Sequence, residues 1–132
     1  MTEFDAEAFD SQLTTAILGR RFTALDRVPS TQDLAREVAG ESLRNPDGEV
    51  VLAEFQTQGR GRLRRAWSSP PNVNLLFSLI LCPRARIARP TLITLLMGGS
   101  VREALTTGSG VAATLKWPND VLIDGRKVAG IL

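Results

Sequence analysis

An α+β fold is what this sequence predicts: a mixed, largely antiparallel sheet with helices on one side. Three observations carry it. Helix-periodic and strand-like segments alternate through the first half of the chain. The second half instead pairs strands locally, around the dipeptide Asp124-Gly125. The 132 residues are 43% apolar and 23% charged, a balance that suits one globular domain with its own core.

Each element follows from its residues. Apolar residues at Phe9, Leu13, Ile17 and Leu18 give Asp5 to Leu18 a helical spacing. A short strand is expected at Phe22–Leu25. "STQDLAREVAGESL" reads as a helix, with Ser30 or Thr31 as N-cap, Asp33 in the first turn, and Leu34, Val38 and Leu43 on the apolar face. "NPDGE" is a turn. "EVVLAEFQTQ" is a strand running into an arginine-rich loop, and "SSPPNVN" is a second turn. "NLLFSLIL" is almost wholly apolar and is expected to be a central strand. Pro90 fits the first position of a helix, and "TLITLLMGGSVREAL" fits a buried one. "GVAATLKWPNDVLIDGRKVAGIL" is expected to hold two more strands joined at Asp124-Gly125.

Composition excludes several chemistries. The longest apolar runs, such as "LITLLM", fall far short of the roughly 20 residues that span a bilayer, so no membrane association is expected. The acidic start "MTEFDAEAFD" does not resemble a secretory signal. A single cysteine, Cys82, fits a reducing compartment, and the expected location is cytoplasmic. The chain has no histidine, which removes Ser-His-Asp and Cys-His catalysis. A net charge of +2 makes no case for bulk nucleic-acid binding.

The charge is local instead. "GRGRLRRAW", residues 59–67, places four arginines within six positions. In an extended loop, Arg60, Arg62 and Arg64 would point to one side. Glycines let backbone N–H groups approach an anion, and arginine offers paired donors to phosphate or carboxylate. Mutual repulsion should keep such a loop mobile until an anion arrives. A solvated basic loop and an RNA-binding loop are the rival readings; the second would call for more interleaved aromatics than this chain has. "KWPND", Lys116 to Asp120, is a second cluster, with Asn119 and Asp120 freed at a bend by Pro118, or else an ordinary turn. Lys127, in "GRKVAGIL", follows the tight hairpin and should lie close to the bend that opens it, or else it is a solvated strand-edge lysine.

In this order and spacing, "AEFQTQGRGRLRRAW", "KWPND" and "GRKVAGIL" resemble the biotin protein ligase family, the biotin–[acetyl-CoA-carboxylase] ligases. "STQ" at 30–32 resembles the family's "STN". The resemblance runs from about Asp26 to the last residue and implies the class II aminoacyl-tRNA synthetase/biotin ligase catalytic fold. It also implies the function: formation of biotinyl-5′-AMP from biotin and ATP, then transfer of biotin to a lysine of a biotin carboxyl carrier protein.

The resemblance implies the site as well. Ser30, Thr31, Gln56, Gly59 and Arg60 would line the biotin pocket, and Trp67 would pack where the loop closes. Arg62, Arg65 and Lys127 would meet the biotin carboxylate and the ATP phosphates. Asn119 and Asp120 would serve the nucleotide, with Asp120 on Mg²⁺. Lys127, Arg62 and Asp120 are the expected catalytic residues. Arg64 stands where many members have glycine and receives no role. The missing histidine fits this chemistry, because a carboxylate already ionised near neutral pH needs no general base to attack phosphorus.

The chain ends inside an apolar, strand-like run. One catalytic domain over 1–132, incomplete at its C-terminal end, is therefore expected, without the small C-terminal β domain. Fewer than thirty residues precede the resemblance, too few for an N-terminal DNA-binding domain, so no specific DNA partner is expected. Either self-association through the C-terminal edge strand or instability of the isolated chain is expected. A lipoate ligase on the same fold and a biotin-binding module without turnover are the alternatives.

Overall fold

The computed structural model describes residues 4–41 and 43–132. They form two compact units, one running to Arg84 and the other spanning Ala85–Leu132.

The first unit begins with α1 (Ala6–Gln12), capped by Asp5, whose carboxylate accepts from the Ala8 N–H at 2.9 Å. The helix is shorter than its apolar spacing predicts. Beyond it, Arg20 donates to the Leu13 and Thr15 carbonyls and holds the chain in a turn. Phe9 packs with Phe4 and Phe22, which joins α1 to the first strand.

β1 (Phe22–Val28), β2 (Val50–Gln56) and β3 (Leu76–Leu79) form a mixed sheet in the order β1-β2-β3. β1 runs parallel to β2, with α2 (Thr31–Glu41) in the crossover, and β3 returns antiparallel. The central strand is thus β2, whose Val51, Leu52 and Ala53 are all buried. β3, expected to be central, pairs only with β2 among the described residues, and Phe77 is 44% exposed. An apolar run reports affinity for a buried face, not the number of hydrogen-bonded neighbours.

α2 lays Leu34, Ala35 and Val38 against Val51, Ile80 and Cys82, and this contact is the core of the unit. Leu43 does not continue that face; it lies beyond the helix and is fully exposed. Glu49 is buried at the start of β2, and its charge is met by Arg21 and Arg44 at 3.4 and 3.2 Å.

The second unit holds α3 (Thr91–Ser109) and an antiparallel sheet of β4 (Ala113–Lys116), β5 (Asp120–Ile123) and β6 (Arg126–Gly130). The segment forms three strands where two were expected, because the residues before Trp117 pair with β5 as well. Asp124 and Gly125 take φ of +49° and +73°, the left-handed pair that a two-residue hairpin needs. Pro90 is the N-cap of α3 rather than its first residue. The helix is not buried as expected: only Gly98 is enclosed, and Leu92 and Leu96 are exposed. The mixed pairing read from the sequence is distributed over these two sheets. Among the described residues no helix is long and apolar enough to cross a membrane.

Candidate functional site

In the first unit the expected ring-binding residues converge. Ser30 and Thr31, at the N-terminus of α2, are 1% and 3% exposed. A helix start leaves backbone N–H groups without intrahelical partners. Gln56, the last residue of β2, supplies one: its Oε1 accepts from the Thr31 N–H at 2.8 Å and from the Thr31 hydroxyl at 3.1 Å. The parallel pairing sets this up, because it brings the end of β2 level with Val28, just before α2. Ser30 also acts locally, its carbonyl accepting from Asp33 and Leu34.

The arginine-rich loop is not extended. Residues 59–67 fold into a small hairpin. Trp67 N–H donates to the Gly59 carbonyl at 2.9 Å, and Gly61 N–H to the Arg65 carbonyl at 2.7 Å, with Arg60 and Ala66 bridged between them. A 3₁₀ turn, Arg62–Arg64, forms the tip. Arg60, Arg62 and Arg64 therefore do not line up on one side as an extended strand would place them. Gly59 is required by close approach: a Cβ there would stand 2.4 Å from the Trp67 carbonyl oxygen. Leu63 and Arg64 carry φ of +57° and +60°, a strained region for side-chain-bearing residues. Glycine would sit at position 64 without that strain.

One arginine is tied down. Arg60 Nη2 lies 2.6 Å from Asp33 Oδ2, while Arg36 holds the other oxygen of Asp33 at 3.0 Å. The first turn of α2 thus anchors the hairpin. Asp33 read only as a helix-start acid in the sequence, and nothing local marked it as a partner of Arg60. Arg62 and Arg65 are exposed, and no carboxylate lies within ion-pair distance of either among the described residues. They are cations held on a folded scaffold and open to an anionic ligand. Trp67 is half-buried at the base of the hairpin.

In the second unit Lys127, on β6, pairs with Asp120, the first residue of β5, at 2.7 Å between Nζ and Oδ1. Lys127 is therefore not merely a solvated edge lysine. Asn119 lies in the turn before β5, half-buried, and its carbonyl accepts from the Ile131 N–H at 2.8 Å. Among the described residues no group of three or more His, Cys, Asp or Glu side chains could hold a metal ion.

Known proteins resemble this chain over most of its length. The model of the biotin/lipoate A/B protein ligase family matches residues 24–132. A bifunctional ligase/repressor BirA of Bacillus spizizenii is 38% identical over 120 residues, which cover 91% of this chain and 36% of that protein. The biotin protein ligase of Aquifex aeolicus, solved in complex with biotin and ATP, superposes with a TM-score of 0.72 at 35% identity, over 86% of this chain and 46% of that one. The biotin protein ligase of Leishmania major in complex with biotinyl-5-AMP gives 0.66 at 28% identity, over 85% of this chain and 51% of that one. The chain thus spans between about a third and a half of the length of these relatives.

Proposed function

Because the chain belongs to the biotin/lipoate A/B protein ligase family, we propose that it forms biotinyl-5′-AMP from biotin and ATP and transfers biotin to a lysine of a biotin carboxyl carrier domain. The observation that carries this reading is the built polar cluster of Ser30, Thr31 and Gln56 beside the arginine hairpin, in the stretch matching relatives solved with biotin, ATP and the adenylate.

In the first step a biotin carboxylate oxygen attacks the α-phosphorus of ATP. The α–β bridging bond breaks, and pyrophosphate leaves with its electrons. Two anions must meet, so the work is positioning and charge stabilisation rather than proton transfer. Ser30, Thr31, Gln56 and Gly59 hold the biotin ring, with Arg60 and Trp67 closing over it. Arg62 and Arg65 take phosphate oxygens. Lys127 meets the biotin carboxylate and the α-phosphate, and Asn119 serves the nucleotide. In the second step the carrier amine attacks the anhydride carbonyl, AMP leaves, and the amine proton passes to Asp120.

Mg²⁺ arrives with ATP as part of the substrate. It is bound largely by phosphates and water, and one or two protein carboxylates suffice. The residues fit that demand: Asp120 offers one carboxylate, and the described residues offer no cage. When bound, the ion neutralises phosphate charge. Duplex DNA is expected to bind weakly, since a net charge of +2 releases few counterions. A reducing cytoplasm is the compartment that the single free Cys82 fits.

The test is pyrophosphate release by the purified chain with Mg-ATP and either biotin or lipoate, beside calorimetric titration of both. Biotin-dependent release supports the reading. Release with lipoate alone would move the assignment to the other branch of the family, and biotin binding without release would leave a binding module.

A further inference from the structure

Ser78 has no role in the scheme above, and its geometry gives it one. It stands on β3 between Phe77 and Leu79, a lone hydroxyl in an otherwise apolar strand. Its Oγ lies 2.9 Å from Thr31 Oγ1. The protons of this cluster have one consistent arrangement. The Thr31 N–H can only donate, so the Gln56 atom 2.8 Å from it is the carbonyl oxygen. An amide oxygen carries no proton, so the Thr31 hydroxyl, 3.1 Å away, donates to it as well. That uses the only hydroxyl proton Thr31 has, and the Ser78 hydroxyl must donate in turn to Thr31. The chain of bonds therefore runs one way, from Ser78 through Thr31 to Gln56.

We propose that Ser78 is a positioning residue for biotin. It fixes the Thr31 hydroxyl as a second donor to Gln56, whose amide orientation the Thr31 N–H already sets. Gln56 then holds Oε1 inward and leaves Nε2 facing Gly59, 3.4 Å from where a Cβ on that residue would stand. Without Ser78 the Thr31 hydroxyl loses its donor, and Thr31 rotamers that keep or give up the hydroxyl bond to Gln56 compete. Ligand binding then has to select one of them, which weakens affinity in proportion to the population lost. This role rests on the biotin ligase reading and would not exist without it.

The experiment measures biotin affinity and stoichiometry by calorimetry, and the kinetics of adenylate formation, for the wild-type chain and for Ser78→Ala, Ser78→Thr, Thr31→Val and the Thr31→Val/Ser78→Ala double variant. Ser78→Ala should raise the biotin Kd by about threefold to tenfold, the span expected for one lost hydrogen bond. Stoichiometry and kcat at saturating biotin should stay within about twofold of wild type. Ser78→Thr retains the hydroxyl and should restore affinity. In the double variant Ser78→Ala should add almost nothing, because Thr31→Val already breaks the chain of bonds. An unchanged Kd in Ser78→Ala, a fall in stoichiometry alone, or full additivity in the double variant would overturn the role. Should Ser78→Ala not fold, Ser78→Cys carries the same comparison with a side chain of similar size and a weak donor. Wild-type chain that binds no biotin overturns the ligase reading itself, whatever the variants do.

Discussion

Lys127 Nζ stands 2.7 Å from Asp120 Oδ1, across the hairpin that Asp124 and Gly125 turn. Both side chains are partly exposed, so the pair adds little to stability. Its consequence is placement: an ammonium is held in one position before any anionic ligand arrives. The same contact keeps the Asp120 carboxylate, the group that a phosphate would displace in the proposed reaction, beside the lysine.

Replacing Lys127 with alanine should cost on the order of 10²-fold or more in the rate of adenylate formation, because no neutral group offsets the charge gathering on the transferring phosphate. Biotin should still bind, more weakly. Pyrophosphate release and calorimetric titration read the two effects separately, and near-normal release would falsify the role.

Gly59→Ala should open the base of the arginine hairpin. The added methyl meets a backbone oxygen at 2.4 Å, which cannot move as a flexible side-chain end could. A loss of about 1–3 kcal/mol in stability is expected, with biotin affinity falling alongside it. Urea denaturation that gives the same midpoint as wild type would show that the hairpin does not close as described.

Arg64→Gly should be neutral or stabilising by up to about 1 kcal/mol, since release from a positive φ offsets the extra freedom glycine has when unfolded. Arg64→Val should destabilise instead, because a β-branched residue tolerates that conformation worst. Both comparisons come from denaturation midpoints. Arg64 has no part in the proposed chemistry, so adenylation by the glycine variant should be unchanged.

Amide hydrogen exchange should slow across Gly59–Ala66 when biotin or the adenylate binds. Four arginines in six positions repel one another, and Asp33 offsets only the charge of Arg60. A ligand carboxylate or phosphate supplies the missing counter-charge. Equal exchange with and without ligand would show that the hairpin is already as ordered as it becomes.

Concentration-dependent sedimentation should reveal self-association through β6. That strand pairs only with β5 among the described residues, and Val128 on it is 45% exposed. An open edge with apolar side chains invites another strand. Val128→Lys should return the chain to a monomer; a wild-type chain that sediments as a monomer at all concentrations would count against the interface.

Much of this protein was legible in its residues. Gln56, Gly59 and the arginines stood out because their spacing in the chain is itself the signal. Lys127 and Asp120 could be brought together on paper, since one two-residue turn lies between their strands. Ser78 offered a weaker signal, a single hydroxyl inside "NLLFSLIL", which by itself says only that a polar group needs a partner. Asp33 offered none, because an acid in the first turn of a helix has an adequate local explanation.

What the sequence determined by itself was everything governed by neighbours in the chain: the Leu34 and Val38 face of α2, the Asp124-Gly125 turn, the glycine–arginine loop and the absence of histidine chemistry. Periodicity and positive-φ turns depend on residues a few positions apart, and such patterns survive in one dimension. The tertiary structure alone decided that Gln56 caps Thr31 from 25 residues away, that Arg60 finds Asp33 across 27, and that Ser78 reaches Thr31 across 47. It also decided that β2, not β3, is central, and that the arginine loop folds back on itself. Those outcomes depend on strand order and register, which bring distant donors and acceptors within 3 Å or so of each other. Composition says that a polar group must be satisfied; only the packed sheet and helix determine which group satisfies it.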